Sequence, residues 1–101
     1  MSGPKIRMPQ DKIAEFCRQH HIRRLSLFGS VLREDFSPES DVDVLVEFEP
    51  GHPVGLIRFA GIERELSRLL GRKVDLNTAG FLSPHFREEV LNEALVEYVA
   101  P

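Results

Sequence analysis

The chain has 101 residues, with one cysteine, one tyrosine and no tryptophan. A single thiol, Cys17, rules out an intrachain disulfide. Its helical spacing from Ile13 and Phe16 reads as a small core residue rather than a reactive group. Positive charge is not in excess: 13 Lys and Arg stand against 16 Asp and Glu, a formal net charge of −3. That argues against direct nucleic-acid binding through phosphates as the main activity, because such binding needs clustered cations. No apolar run approaches the ~18 residues of a membrane span. The opening MSGPKIRMPQ lacks the apolar region of a signal peptide. The expectation is a cytoplasmic protein that uses no membrane. Repeats, low-complexity tracts and domain linkers are also lacking, which predicts a flexible tail over 1–8 and a single domain over 9–101. What is present, 42% hydrophobic and 29% charged residues, is ordinary for a folded domain.

Apolar Ile13, Phe16 and Cys17 mark one face of a first helix from Pro9 to His20. RRLSLFG (Arg23–Gly29) reads as a strand, SVLRED as a short helix opened by Ser30, and FSPES as a loop. From Asp41 to Phe48 the pattern has period two. Val42, Val44, Val46 and Phe48 take one face; Asp41, Asp43, Glu47 and Glu49 take the other, with Leu45 the one exception. Val54 to Leu70 carries a helical stripe of Phe59, Ile62, Leu66 and Leu69, closed by Gly71. RKVDLN is a third strand with Asp75 on the polar side. Ser83-Pro84 opens a last helix that runs to about Glu93. ALVEYV either prolongs that helix or adds a strand, and we favour the strand. Together these give an α/β (α+β) fold: a small mixed sheet with helices packed on one face. The other face would be open and acidic.

Within LFGSVLREDFSPESDVDVLVEFEP (Leu27–Pro50), Asp41 and Asp43 begin a strand that should be buried. Carboxylates at i and i+2 on a strand point the same way, ~6–7 Å apart. If the strand carrying Asp75 pairs alongside, three carboxylates share a face and demand a proton or a cation. Oxygen ligands in that number suit Mg²⁺ or Mn²⁺. Gly29 lets backbone approach a ligand closely, and Ser30 offers N–H groups and a hydroxyl to a phosphate. A Gly-Ser pair or an Asp-x-Asp taken singly is usually only a turn or a solvated strand end. Specificity lies in the conjunction of the two with a later aspartate of the same parity.

These residues resemble the minimal nucleotidyltransferases of the polymerase-beta-like nucleotidyltransferase superfamily. The shared pattern is Gly-Ser, some ten residues, then Asp-x-Asp, matched by Gly29, Ser30, Asp41 and Asp43, with Ser40 preceding. Arg33 takes the place of the arginine in the common Gly-Ser-x-x-Arg-Gly form; Glu34 departs from it. GRKVDLNTAGFLSPHFREEVLNEAL is similar to the family's C-terminal part, with Asp75 as third carboxylate. The resemblance implies two divalent ions on Asp41, Asp43 and Asp75, and Gly29, Ser30 and Arg33 on the nucleotide phosphates. It implies transfer of a nucleoside monophosphate, AMP from ATP, to a hydroxyl. It further implies a HEPN-type partner protein, with this chain as the antitoxin of the pair. Two alternatives stay open: a binding module that masks such a partner without catalysis, and an adenylyltransferase acting on small molecules such as aminoglycosides. His20, His21, His52 and His85 show no metal-ligand spacing and are read as incidental. Glu47 and Glu49 are read as solvated, Glu47 near the site's border, and Tyr98 as packed.

Overall fold

The computed structural model describes residues 6, 8–33, 36, 37 and 39–101. Most of the expected tail lies outside the described residues. So do Glu34 and Asp35 of the expected short helix and Pro38 of the loop.

Helix α1 spans Gln10–Gln19 and buries Ile13, Phe16 and Cys17, the face its spacing predicted. Burial pushes the Cys17 thiol up to about 12, so it is an inert core group. Strand β1 is Ile22–Phe28. A bulge between Ile22 and Arg24 shifts its alternation, which leaves Arg23 and Arg24 both exposed while Ile22 and Leu25 are both buried. A 3₁₀ turn, Gly29–Leu32, follows directly and buries Val31. Strand β2 is Val42–Phe48 and helix α2 is Leu56–Leu70. The helix starts later than Val54 because Gly55 is still extended, and the first helical bond runs from Phe59 N–H to the Gly55 carbonyl. Gly71 ends it at φ 66, with Arg72 N–H donating back to the Ser67 carbonyl. Strand β3 (Val74–Asn77) and a second 3₁₀ turn (Ala79–Phe81) lead to α3, Pro84–Glu93. The Ser83 hydroxyl caps α3 by accepting from His85 N–H, with Pro84 at the first helical position. The closing residues form β4, Leu95–Val99, as favoured from their composition.

The sheet order is β3-β2-β1-β4. β1 is antiparallel to both β2 and β4, and β2 and β3 are parallel, joined by α2 as crossover. The main core lies under α1 and α2: Leu25, Leu27, Val42, Val44, Val46, Val74 and Leu76 meet Ile13, Phe16, Ile62 and Leu66. The opposite face is not fully open as expected. Leu45, the exception to the β2 alternation, is buried with Leu82 and Val90, and Phe28 packs against them. An apolar side chain on the polar face needs its own cover, and the segment from Leu82 to Val90 supplies it. Tyr98 packs on the main core, as read from the sequence.

Candidate active site

β1 and β2 bring the Gly-Ser turn to the aspartates. Phe28, the last residue of β1, is the register partner of Asp43. The next residue, Gly29, sits at φ 76, where side chains are strained. A Cβ at Gly29 would collide with the Asp43 carboxylate oxygen and lie 3.3 Å from its Cγ. Glycine is therefore required twice over here, by its backbone angle and by the approach of Asp43.

β2 and β3 unite the carboxylates. Asp43 and Asp75 are register partners in a parallel pair. Their side chains leave the same face of strands about 4.8 Å apart. Asp41 lies just before β2 on the same parity. Burial first, then the charges of Asp75 and Asp41, push the Asp43 carboxyl above its usual range; Arg33 partly counters them. Three of the six predicted residues thus act electrostatically on a fourth, and Gly29 touches it. Arg33 follows the turn, its N–H donating to the Ser30 carbonyl at 2.9 Å. Its guanidinium lies 3.9 Å from Glu93 Oε2, with both side chains more than half exposed, a contact worth little. Lys73 Nζ, 80% exposed, is 4.0 Å from Asp41 Oδ2.

Three supporting residues escaped sequence reasoning. Arg72 donates to the carbonyls of Ser37 (2.8 Å) and Ser40 (3.2 Å), and its guanidinium lies 4.6 Å over the Phe36 ring. It fastens the loop that delivers Asp41. Ser40, noted before only as part of a motif, also braces that loop, because its hydroxyl accepts from Ser37 N–H at 3.1 Å. β3 is an edge strand, and two of its outward N–H groups are satisfied by α2. Val74 N–H donates to Ser67 Oγ (3.0 Å) and Leu76 N–H to Glu63 Oε2 (2.8 Å). These bonds flank Asp75 and hold it in register. Glu63 and Ser67 are one helical turn apart, the only signal in the sequence, and it carries no information until the strand opposite is known. Glu47 is engaged by Arg23 (2.6 Å) and Arg24 (3.8 Å) rather than by the site.

Clustered carboxylates beside a turn stripped of side-chain bulk form an acidic centre of the composition that divalent cations and phosphorylated ligands favour. That defines a class, the metal-assisted transferases of phosphorylated groups. The chain belongs to the nucleotidyltransferase domain family, whose model matches residues 10–96. Family members typically use divalent metals, and the donor set here, three carboxylates of which Asp75 and Asp41 push the Asp43 carboxyl above its usual range, fits such ions. The chain is 36% identical over 84 residues to MJ0435 of Methanocaldococcus jannaschii, whose name proposes protein adenylyltransferase activity. That match covers 83% of this chain and 88% of the relative. It is also 36% identical over 74 residues to protein adenylyltransferase MntA of Thermococcus cleftensis, covering 73% of each. Among solved structures, the fold resembles a complex of an AMPylated HEPN toxin with an MNT antitoxin from Shewanella oneidensis. There the TM-score is 0.65 at 20% identity, over 90% of this chain and 70% of that one. No helix among the described residues is long and apolar enough to cross a membrane.

Proposed function

We propose that this chain transfers AMP from ATP to a hydroxyl of a partner protein, a HEPN-type toxin that it neutralises. One observation carries the reading: the register pairing of Asp43 with Asp75, at the end of the sheet where Gly29 abuts Asp43. The names of the relatives support the protein acceptor, and the AMPylated toxin in a structural neighbour supports its kind.

Each residue has a role that its surroundings allow. Gly29 gives phosphate oxygens close access to the backbone, and Ser30 donates its hydroxyl to them. Arg33, whose charge already reaches Asp43, balances negative charge on the triphosphate. Asp41, Asp43 and Asp75 would hold two Mg²⁺ ions, which when bound neutralise the α-phosphate and lower the proton affinity of the attacking hydroxyl. Asp75, the most exposed of the three, accepts the proton of that hydroxyl. A bond forms from the acceptor oxygen to the α-phosphorus, the bond to the bridging oxygen breaks, and pyrophosphate leaves. The acceptor side of the site is left to the partner.

The test is incubation with α-labelled ATP, Mg²⁺ and the product of the gene neighbouring this chain's own, with a HEPN-type protein as the acceptor expected. Label should pass to a hydroxyl side chain of that protein and vanish with Asp41→Ala plus Asp43→Ala. Label that persists in the double variant would remove the aspartates from the mechanism. Complex formation without label, in wild type and variant alike, would leave a binding module.

A further inference from the structure

At the end of the sheet opposite Asp43, three side chains scattered in the sequence converge. His21 precedes β1, Glu49 follows β2, and His52 lies in the turn beyond. Their ligating atoms all lie within 4.8 Å of one another. The two imidazoles stack, with centroids 3.9 Å apart and planes 8° from parallel. The backbone pins all three residues: Glu49 N–H donates to the His21 carbonyl at 2.8 Å, and His52 N–H to the Glu49 carbonyl at 3.3 Å. His21 is the one non-glycine residue at positive φ (57) among the described residues, a conformation side chains rarely adopt. That angle turns the chain from α1 into β1. Among the described residues, no hydrogen bond or ion pair engages these three side chains.

We propose that His21, Glu49 and His52 bind a borderline divalent transition-metal ion of the Zn²⁺ type. Two imidazoles and one carboxylate form a donor set that Zn²⁺ accepts, with water as fourth ligand. A tetrahedral ion holds its ligand atoms about 3.3 Å apart at bond lengths of about 2.0–2.1 Å, so a modest closure is required. The exposed His52 turn can supply it, with the rings rotating out of their stack so that their lone pairs converge. Mg²⁺ prefers oxygen donors and reluctantly gives up its waters, so it is poorly served here. Six residues of extended chain, about 20 Å, separate Asp43 from Glu49. The two centres therefore sort ions by donor chemistry: hard cations at the aspartates, borderline ones at the histidines. The second ion would clasp the start of β1 to the exit of β2 and fix the segment leading to α2.

The experiment is titration of the full chain with Zn²⁺, followed by calorimetry and thermal melting. Co²⁺ is substituted to read tetrahedral geometry by absorption. One equivalent of Zn²⁺ is expected to bind and raise the melting temperature by linkage, equally in wild type and in Asp41→Ala plus Asp43→Ala. Losing even an outer-shell partner of a metal ligand weakens binding by about 10–100-fold. His52→Ala and Glu49→Gln should therefore weaken it by at least the upper figure. His52 is exposed, so His52→Ala tests binding without disturbing the core; its metal-free melting temperature should drop only by what the exposed ring stack contributes. Zn²⁺ binding that survives His52→Ala and Glu49→Gln, or that disappears with the aspartates, would overturn the proposal. So would a failure of wild type to bind more tightly than His52→Ala.

Discussion

Substituting Gly29 by alanine separates two constraints that coincide at that residue. Gly71 and Gly29 share nearly the same backbone angle, φ 66 and 76. A Cβ at Gly71 meets nothing within 4 Å, whereas one at Gly29 meets the Asp43 carboxylate. In Gly71→Ala the left-handed angle costs about 1–2 kcal/mol. Loss of unfolded-state freedom returns about 0.4–1 kcal/mol. The net is about 1 kcal/mol, or some 4–8 °C in a domain of this size. Gly29→Ala carries the same penalty plus about 0.5–1.5 kcal/mol for forcing Asp43 off its preferred rotamer. Its melting temperature should fall further than that of Gly71→Ala, by up to about 10 °C. The sharper difference is functional. Gly71→Ala should keep the full thermal upshift with Mg²⁺ and a nonhydrolysable ATP analogue; Gly29→Ala should lose it, because a displaced Asp43 no longer completes the acidic centre. Equal melting shifts and equal ligand responses in the two variants would refute the claim that Gly29 is reserved for Asp43.

Two further outcomes follow from the electrostatics and from the edge strand. Asp43 has a raised folded-state pKa, so its contribution to stability is fully present below the ordinary value of 3.8 and is lost as pH rises through the folded value. Without metal, Asp43→Asn should therefore lack that loss and melt above wild type at pH 7. Mg²⁺ with nucleotide should reverse the order, and identical pH–stability curves for the two proteins would contradict the clustering of charges. Glu63→Ala strands the Leu76 N–H and should cost about 1–2 kcal/mol, with faster hydrogen exchange at Leu76 and reduced transfer. Glu63→Gln keeps an acceptor and should recover most of both. Exchange at Leu76 unchanged in the alanine variant would show that α2 does not hold β3.

Much of the fold was legible because each element announces itself locally. The Ile13, Phe16, Cys17 spacing, the valine alternation of β2, the Gly71 stop and the Ser83-Pro84 start all became what they suggested. Leu45 was visible as an irregularity but not explicable. Its cover comes from Leu82 and Val90, far along the chain, and no local period encodes that contact. The bulge in β1 was hidden for a similar reason, since it is a property of the pairing with β2 rather than of either strand.

At the active centre, residue types and parity were present in the chain itself. An aspartate at 41, 43 and 75, each on the polar side of its strand, together with a glycine before a serine, could be read without coordinates. Tertiary structure decided that β2 and β3 are neighbours, that Asp43 faces Asp75, and that the Gly29 backbone lies against the Asp43 carboxylate. It alone revealed Arg72, Glu63 and Ser67 as the fastenings of that geometry, and His21, Glu49 and His52 as a group. Periodicity is a one-dimensional consequence of which face of an element is buried, so it survives in the order of residues. The pairing of distant segments depends on how the whole chain closes on its core, and only the folded chain expresses it.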